Sequence, residues 1–148
     1  MRIEIKNLKM HRDMCQETDC FSCSIYSEGK RVGLARNEGV GGPNSYDWFD
    51  REAGREIEAW AEAQELEFSF EKLDQIIDQL RYDLLERQEL KRWCKNQTMF
   101  RLKGDEEGAW RTLKLNYMPQ GRAWVLHKYS DQLEEIANER FEKAEVAV

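Results

Sequence analysis

The fold class is decided by the stretch CFSCSIY at residues 20–26, in which inward and outward side chains alternate. This period of two is typical of a half-buried strand. The tetrapeptide SEGK at residues 27–30 then supplies turn residues, and Val32 and Leu34 continue the alternation. Residues 1–6, MRIEIK, show the same pattern, so we predict a β-hairpin preceded by another strand. The inner face of the central strand consists of Phe21, Cys23 and Ile25.

Two amphipathic helices are predicted after this sheet. The first is capped by Asp50 and runs to about Gln64, and the second is capped by Ser69 and runs to about Lys95. Their apolar residues recur at three- and four-residue steps, which is the spacing of one helix face. The inner faces consist of Ala53, Ile57, Trp60 and Ala61, and of Phe70, Leu73, Ile77, Leu80 and Leu84.

A second hairpin is predicted in the last third of the chain. Residues 99–103 and 110–115 have strand composition, and the segment GDEEG at residues 104–108 is a polar turn bounded by glycines. The two strands should therefore pair antiparallel.

A helical C-terminal region completes the prediction. Pro119 suits the first position of a helix because it lacks an N–H. Asp131 and Glu134 form a capping-box pattern that should open the last helix, with Leu133, Ile136 and Phe141 facing inward. The expected fold is a single α+β domain over residues 1–148, with an N-terminal antiparallel sheet, two central helices, a second β-hairpin and a C-terminal helix.

Composition excludes several classes of protein. The 148 residues include 41% apolar and 11% aromatic residues, which is typical of a globular chain and not of a disordered one. The apolar stretches are far shorter than the roughly 20 residues that cross a bilayer. The N-terminus lacks the apolar core of a signal peptide. We expect a cytoplasmic protein with no membrane partner, whose four cysteines are reduced thiols.

The cysteines raise the possibility of a metal site. His11, Cys15, Cys20 and Cys23 have the spacing H-x3-C-x4-C-x2-C, and four such ligands can hold tetrahedral zinc. However, Cys20 and Cys23 are three residues apart in a predicted strand, so their side chains should point to opposite faces. Because small buried thiols are common in strands, we predict no metal and no cofactor. A small zinc protein or enzyme built around the cysteines stays an alternative.

Catalytic signatures do not single out any residue. The two histidines, His11 and His127, lie outside sequences such as G-x-S-x-G. A cysteine and a histidine can still meet in space. We favour a protein without enzymatic activity and assign no catalytic residue.

The glycine-rich segment NEGVGGPN at residues 37–44 is predicted to be a loop. It matches neither a Walker A loop nor a dinucleotide fingerprint, and Pro43 removes a backbone donor that a phosphate would need. A solvent-exposed connection is the simpler interpretation. The alternative is a recognition loop that carries Asn44, Tyr46 and Trp48.

Charge is distributed unevenly along the chain, although the net charge of −6 disfavours non-specific nucleic-acid binding. Residues 47–78 contain eleven acidic and three basic residues, whereas residues 91–114 contain seven basic and three acidic ones. The basic segment also carries aromatic residues. A cationic surface of this kind suits a nucleic acid, a nucleotide or an acidic protein.

The second hairpin is therefore the candidate binding site. Arg101 and Lys103 share one face by the period of two, and Arg111 is expected to be their cross-strand companion. Trp110 and Lys114 extend this candidate surface. The alternative is that the hairpin simply keeps a charged face in water.

Several segments resemble a set of small uncharacterised proteins from phages and prophages, for which no activity is assigned. They are CFSCSIY at residues 20–26, GKRVG at 29–33, NEGVGGPN at 37–44, FRLKGD at 100–105, WRT at 110–112, KY at 128–129 and EEI at 134–136. The resemblance implies a phage accessory protein. Such proteins often bind host machinery, including defence systems such as CRISPR effectors.

These observations lead to one main hypothesis and two alternatives. The main hypothesis is a non-enzymatic phage-type accessory protein that binds a host macromolecule, with a host protein as the expected partner and inhibition of a defence system as one such role. The first alternative is a nucleic-acid-binding or nucleotide-binding module that uses the basic hairpin. The second is the zinc protein or enzyme described above.

Overall fold

The computed structural model describes the backbone of residues 1–146 and the side chains of residues 1–142. The contacts within the chain group into two compact units, Met1–Leu84 and Leu85–Val148, which we call the N-terminal and C-terminal units. The α+β class predicted from the sequence is confirmed. A single domain over the whole chain stays a prediction.

The N-terminal unit is built on a four-stranded antiparallel sheet with the strand order β1-β2-β3-β4. Its strands are β1 (Ile3–Met10), β2 (Cys20–Ser27), β3 (Lys30–Glu38) and β4 (Ser45–Trp48). The predicted hairpin is thus formed by β2 and β3. The strand β4 is absent from the sequence-based prediction, because it is short and follows directly on the glycine-rich loop.

Two helices follow the sheet. Helix α1 (Arg51–Glu62) begins as predicted, since the Asp50 side chain accepts a hydrogen bond from the Ala53 N–H at 3.1 Å. Helix α2 (Lys72–Cys94) begins later than predicted. Glu71 has a positive φ of 49°, which separates Ser69 and Phe70 from the helix. The prediction that Ser69 caps α2 and that Phe70 faces inward is therefore wrong, and Phe70 is exposed.

The core of the N-terminal unit lies between the helices and one face of the sheet. Its most deeply buried large side chains are Ile25 from β2, Ile57 from α1 and Ile77 from α2. Because both helices pack on this face, the opposite face of the sheet is left without a covering helix in the N-terminal unit. We call that opposite face the outer sheet face.

The C-terminal unit contains a three-stranded antiparallel sheet with the order β6-β5-β7. Its elements are β5 (Thr98–Leu102), β6 (Arg111–Leu113), α3 (Arg122–Tyr129), β7 (Leu133–Ile136) and α4 (Asn138–Val146). The predicted second hairpin is confirmed as β5 and β6. The C-terminal helix is also confirmed, although it begins later than predicted.

Two predictions in this unit are wrong. Asp131 and Glu134 do not open a helix, because the segment from Leu133 pairs with β5 and forms β7. This pairing places Ile136 in a cluster with Phe100, so burial in the sheet outweighs the capping pattern. Pro119 does not occupy the first position of α3 and lies instead in a π-helical turn, Tyr117–Gly121, that precedes it.

Candidate functional site

The predicted cationic hairpin exists, but its two arginines face carboxylates. Arg111 donates hydrogen bonds from Nε and Nη2 to the Asp105 carboxylate at 2.8 and 3.0 Å. This pairing, together with the Leu102 N–H, lowers the pKa of Asp105 to about 2. Arg111 also lies opposite Phe100 in the register, so the expectation that it accompanies Arg101 and Lys103 across the strands is wrong.

Arg101 lies near a carboxylate but is not hydrogen-bonded to it, because Glu135 accepts its hydrogen bonds from Arg140. The Arg101 Nη2 lies 3.9 Å from a Glu135 carboxylate oxygen, and the Arg101 side chain is only 18% exposed. Its guanidinium lies 5.9 Å from the Trp110 ring centre, and Arg140 lies 5.1 Å from the same ring. Trp110 is therefore half-buried beside two guanidinium groups and packs against a hydrophobic cluster. These contacts stabilise the unit and leave little of either side chain free for a ligand.

Two lysines of the predicted surface remain available. Lys103 and Lys114 are exposed, and neither has a carboxylate within 4.0 Å among the residues that the structure describes. A binding role for the hairpin stays a prediction, now resting on fewer free charges.

Of the three candidates assigned to the glycine-rich loop, only Asn44 lies in it. Tyr46 and Trp48 belong to β4 and not to a recognition loop. The Tyr46 hydroxyl donates to Asp74 at 2.5 Å, and the Asn44 N–H donates to the same carboxylate at 2.9 Å. Burial and this hydrogen bond raise the pKa of the Tyr46 hydroxyl far above its usual value. Asn44 and Tyr46 thus attach β4 and the end of the loop to α2.

Trp48 is enclosed by glycines. A Cβ atom at Gly33 or Gly54 would lie 2.6 or 2.5 Å from its ring, closer than real Cβ contacts. The ring stacks on Tyr46 with an interplanar angle of 7°, and its Nε1 donates to Glu58 at 3.2 Å. Trp48 therefore locks β4 against α1, and these contacts account for its burial without a ligand.

A polar cleft of about 620 Å³ opens between the loops and α2 in the N-terminal unit. It contains Arg81, whose side chain is 11% exposed and donates to Asp19 at 2.7 Å and to Asp78 at 3.3 Å. The Arg81 guanidinium also lies 4.5 Å from the Phe21 ring centre. The carboxylates of Asp19, Asp74 and Asp78 are thus already engaged with groups of the protein itself.

None of the four cysteines forms a disulfide bond, and all four are free thiols. Cys20 and Cys23 are buried, and burial raises the pKa of Cys23 to about 11. Cys15 accepts a hydrogen bond from the Cys20 N–H at 2.9 Å. Over the described part of the chain, no group of three or more His, Cys, Asp or Glu side chains is arranged to hold a metal ion.

The outer sheet face carries a set of cations that the sequence did not point to. Directly paired residues of an antiparallel sheet point to the same face. Three rows cross this face, and the register gives them as Lys9, Ser22, Arg36 and Ser45, then Lys6, Ser24, Leu34 and Asp47, and then Glu4, Tyr26 and Arg31. Beyond the first row, Cys20 pairs with Glu38 on the same face. The two serines and the tyrosine of β2 therefore form a central column, flanked by lysines on β1 and arginines on β3.

The four cations of this face are exposed and lack carboxylate partners. Among the described residues, no Asp or Glu lies within 4.0 Å of Lys6, Lys9, Arg31 or Arg36. Glu4, on the same face, is paired instead with Arg2. The face therefore keeps its positive charge in water, unlike the hairpin.

One carboxylate lies at the β4 edge of the same face. Asp47 is paired with Leu34 in the register and is exposed. It lies in the row of Lys6 but on the far side of the sheet from that lysine, with β2 and β3 between them. A second exposed carboxylate, Glu38 on β3, lies opposite Cys20 and so belongs to the same face. The four cations outnumber these two carboxylates, and the positive charge is greatest over the rows of Lys9 and Lys6.

Two aromatic rings lie beside these cations. The Lys6 ammonium lies 4.6 Å from the Tyr26 ring centre, and the Arg31 guanidinium lies 4.9 Å from that of Phe49. Phe49 is 57% exposed. Arg31 also donates to the Ser24 hydroxyl at 3.2 Å, which holds its side chain over the central column. Cations and aromatic rings are thus interleaved on one open surface.

A depression of about 630 Å³ adjoins the Ser22 end of this surface. Its lining includes the exposed apolar side chains of Met14 and Val40 and the charged or titratable groups of Arg36, His11, Asp13 and Glu38. The depression places an apolar contact area directly beside a free arginine.

The N-terminal unit carries acidic residues on its helical side and basic residues on the outer sheet face. The acidic residues of the segment 47–78 lie mainly on α1, on α2 and on the connection between them. Both helices pack against the core face of the sheet, so their exposed carboxylates lie on the side away from the outer sheet face. The charge segregation seen in the sequence is present, but its cationic pole in this unit comes from β1 and β3.

The residues of this surface could have been found from the sequence, because they are the polar positions that alternate with the apolar ones in the predicted strands. The turn at residues 27–30 pairs Tyr26 with Arg31, and a one-residue shift in register between Ile25 and Tyr26 then brings Ser22 beside Arg36. Counting charge along the chain misses the surface, because its cations are spread over two strands.

The chain matches no family model, no curated protein and no solved structure. Within the described residues, none of the helices combines the length and apolar character needed to cross a membrane. Function must therefore be inferred from the surfaces of the protein.

Proposed function

We propose that the protein is a non-enzymatic accessory protein that binds a host macromolecule through its outer sheet face. The observation that carries this proposal is the set of four exposed cations without carboxylate partners on an uncovered sheet. The resemblance to phage and prophage proteins supports the accessory role. Inhibition of a host defence system, such as a CRISPR effector, is the specific role that this resemblance suggests.

Physical reasons favour the outer sheet face over the hairpin. An unpaired surface cation keeps its Coulomb attraction for a partner, whereas a paired one must first give up a carboxylate. A flat sheet also presents its side chains on a rigid support, so few of them lose conformational freedom on binding. Both effects increase the affinity for a negatively charged partner.

Affinity capture from a host-cell lysate tests this proposal. The sheet-face variant, K6E/K9E/R36E, reverses three of the free charges. Arg31 is left intact, because it also contacts Ser24 and Phe49. We expect this variant to recover less than about a tenth of the macromolecule bound by the wild type, since each reversal adds repulsion. Captured protein is measured by mass spectrometry and captured nucleic acid by its absorbance.

A matched control separates the site from the change in net charge. The helix control variant, R87E/K91E/K95E, also replaces two lysines and one arginine, and these residues are exposed on or next to α2. It should capture the partner as the wild type does. Equal capture by all three proteins, each with an unchanged circular dichroism spectrum, would rule out the outer sheet face. Loss only in a K103E/K114E variant would assign binding to the hairpin instead.

A further inference from the structure

We infer that the macromolecule is a single-stranded nucleic acid that lies along β2 on the outer sheet face. This inference rests on the proposed function, because it needs that face to be a binding surface. It adds the chemical class of the partner and the direction of its chain.

The spacing of the cations fits an extended polyanion. Ser22 and Ser24 are two residues apart, so their rows are separated by about 7 Å along the strand. This distance is comparable with the separation of neighbouring phosphates in an extended strand. Lys9 and Arg36 flank the first row, and Lys6 flanks the second. A backbone that follows β2 would therefore meet cations on both sides at Ser22 and on the β1 side at Ser24. The half-buried Ser22 hydroxyl lies beneath such a backbone, whereas the Ser24 hydroxyl is buried and accepts a hydrogen bond from Arg31.

The aromatic rings supply the second feature that single strands need. Proteins that bind single strands combine a cationic path with rings on which bases stack. Phe49 is more than half exposed, and Tyr26 lies in the central column. Both already contact a cation, so a stacked base would extend an existing cation–π arrangement. An acidic peptide would use the cations but would gain less from the rings.

The shape of the surface argues against a duplex. A double helix is read by an element that enters a groove, whereas an open sheet accommodates splayed, unstacked bases. The depression beside Arg36 gives one such base an apolar contact area next to Met14 and Val40, while Asp13 and Glu38 in its lining exclude phosphate and leave room only for the uncharged base. The acidic helices on the other side of the unit repel phosphate and so restrict binding to this face.

Fluorescence anisotropy with a labelled single-stranded thymidine oligonucleotide of about 20 nucleotides tests the inference directly. Four phosphate contacts predict a slope of about −3 for log affinity against log salt concentration. At about 0.1 M salt, the sheet-face variant should bind about 100-fold more weakly than the wild type. The helix control variant should keep wild-type affinity. A duplex of the same length, competing only weakly, would confirm the preference for single strands.

Replacement of Phe49 by Ala separates stacking from charge. We expect about fivefold weaker binding with an unchanged salt slope, because a base contact is lost and no phosphate contact is. A purely structural role for Phe49 would lower the melting temperature and would leave the affinity of the folded protein as it was. That result would overturn the stacking part of the inference.

The outcomes distinguish this inference from the proposed function. If the oligonucleotide fails to bind at low salt while lysate capture of a protein still depends on the outer sheet face, the nucleic-acid inference is wrong and the proposed function stands. Association of the protein with its own acidic helices, seen as dimers at low salt that the sheet-face variant abolishes, would also overturn it. If neither capture nor oligonucleotide binding depends on the face, both fail.

Discussion

The hairpin of the C-terminal unit and the outer sheet face of the N-terminal unit carry similar basic residues in different electrostatic settings. On the hairpin, Arg101 and Arg111 face Glu135 and Asp105. On the sheet, Lys9 and Arg36 flank a serine, and no described carboxylate lies within 4.0 Å of either. The number of cations in a segment therefore does not measure its capacity to attract an anion. What matters is whether the fold supplies each cation with a carboxylate.

The arrangement of the strands explains this difference. In the hairpin of β5 and β6, the connecting turn contains Asp105, which pairs with Arg111. Strand β7 places Glu135 opposite Arg101. Among the outward positions of the paired residues in β1, β2 and β3, the acidic residues are Glu38, for which the described residues show no ion pair within 4.0 Å, and Glu4. Glu4 forms an ion pair with Arg2, so it does not neutralise Lys6, Lys9, Arg31 or Arg36.

The largest expected effect concerns Arg81, a cation that is paired and almost fully buried. The variant D19N/D78N removes both of its carboxylate partners and leaves an uncompensated charge inside the N-terminal unit. We expect a loss of about 2 kcal/mol in the free energy of unfolding, less than for a fully buried ion pair because both carboxylates are more than half exposed to solvent. Urea unfolding followed by circular dichroism measures this loss.

A third substitution serves as the control for this experiment. In R81M/D19N/D78N the unpaired charge is gone, and the introduced methionine side chain can pack on Phe21, so most of the lost stability should return. Equal stability of D19N/D78N and the wild type would show that the Arg81 pairs contribute little and that pairing is a weaker force here than we argue.

The next prediction tests whether ion pairing alone prevents the hairpin from binding a negatively charged partner. The variant D105N/E135Q, made in the background of the sheet-face variant, removes the carboxylate partners of Arg111, of Arg101 and of Arg140, which also pairs with Glu135. Asparagine keeps an oxygen for the Leu102 N–H, which donates to Asp105 in the wild type. We expect single-stranded oligonucleotide affinity to rise about tenfold over the background, because three guanidinium groups lose their carboxylate partners. No rise in anisotropy would mean that geometry, and not pairing, separates the two surfaces.

Much of the fold could be predicted from local sequence patterns. The alternation in β1 to β3 and the period of α1 predict these elements correctly, because their burial follows their own residues. Strand β7 could not be predicted in this way. Its residues Leu133, Glu134, Glu135 and Ile136 do not alternate, and it becomes a strand only by pairing with β5, which lies distant in the sequence.

The candidate site is harder to predict for the same reason. The position of Trp48 after a glycine-rich loop suggests recognition, yet its environment is set by Gly33 and Gly54 on other elements. Arg101 looks free in the sequence because Glu135 is remote from it along the chain. The pairing of Asp105 could have been predicted, since this residue lies in the turn that joins the two strands of the hairpin.

Single neutral substitutions on the outer sheet face should have smaller effects. K6Q, K9Q and R36Q should each reduce the salt slope of oligonucleotide binding by about 0.7 and weaken binding about fivefold at about 0.1 M salt. K103Q, which changes an exposed lysine of the hairpin, is the matched control and should alter neither quantity. If K103Q weakens binding as much as K9Q does, the two surfaces contribute alike and the contrast between them is lost.

The smallest effect is the pH dependence of the hairpin pair. Hydrogen bonds from Arg111 and from the Leu102 N–H lower the pKa of Asp105 from 3.8 to about 2. A lowered pKa means that the folded state favours the ionised carboxylate. The resulting stabilisation is fully present above pH 3.8 and is lost as the pH falls through about 2. Wild type should therefore unfold at a higher urea concentration than D105N at neutral pH, and the two midpoints should converge on acidification.

NMR titration of the Asp105 carboxyl group measures its pKa directly. A value near 3.8 would show that Arg111 does not hold this carboxylate in solution, and Arg111 would then join Lys103 and Lys114 as a free cation.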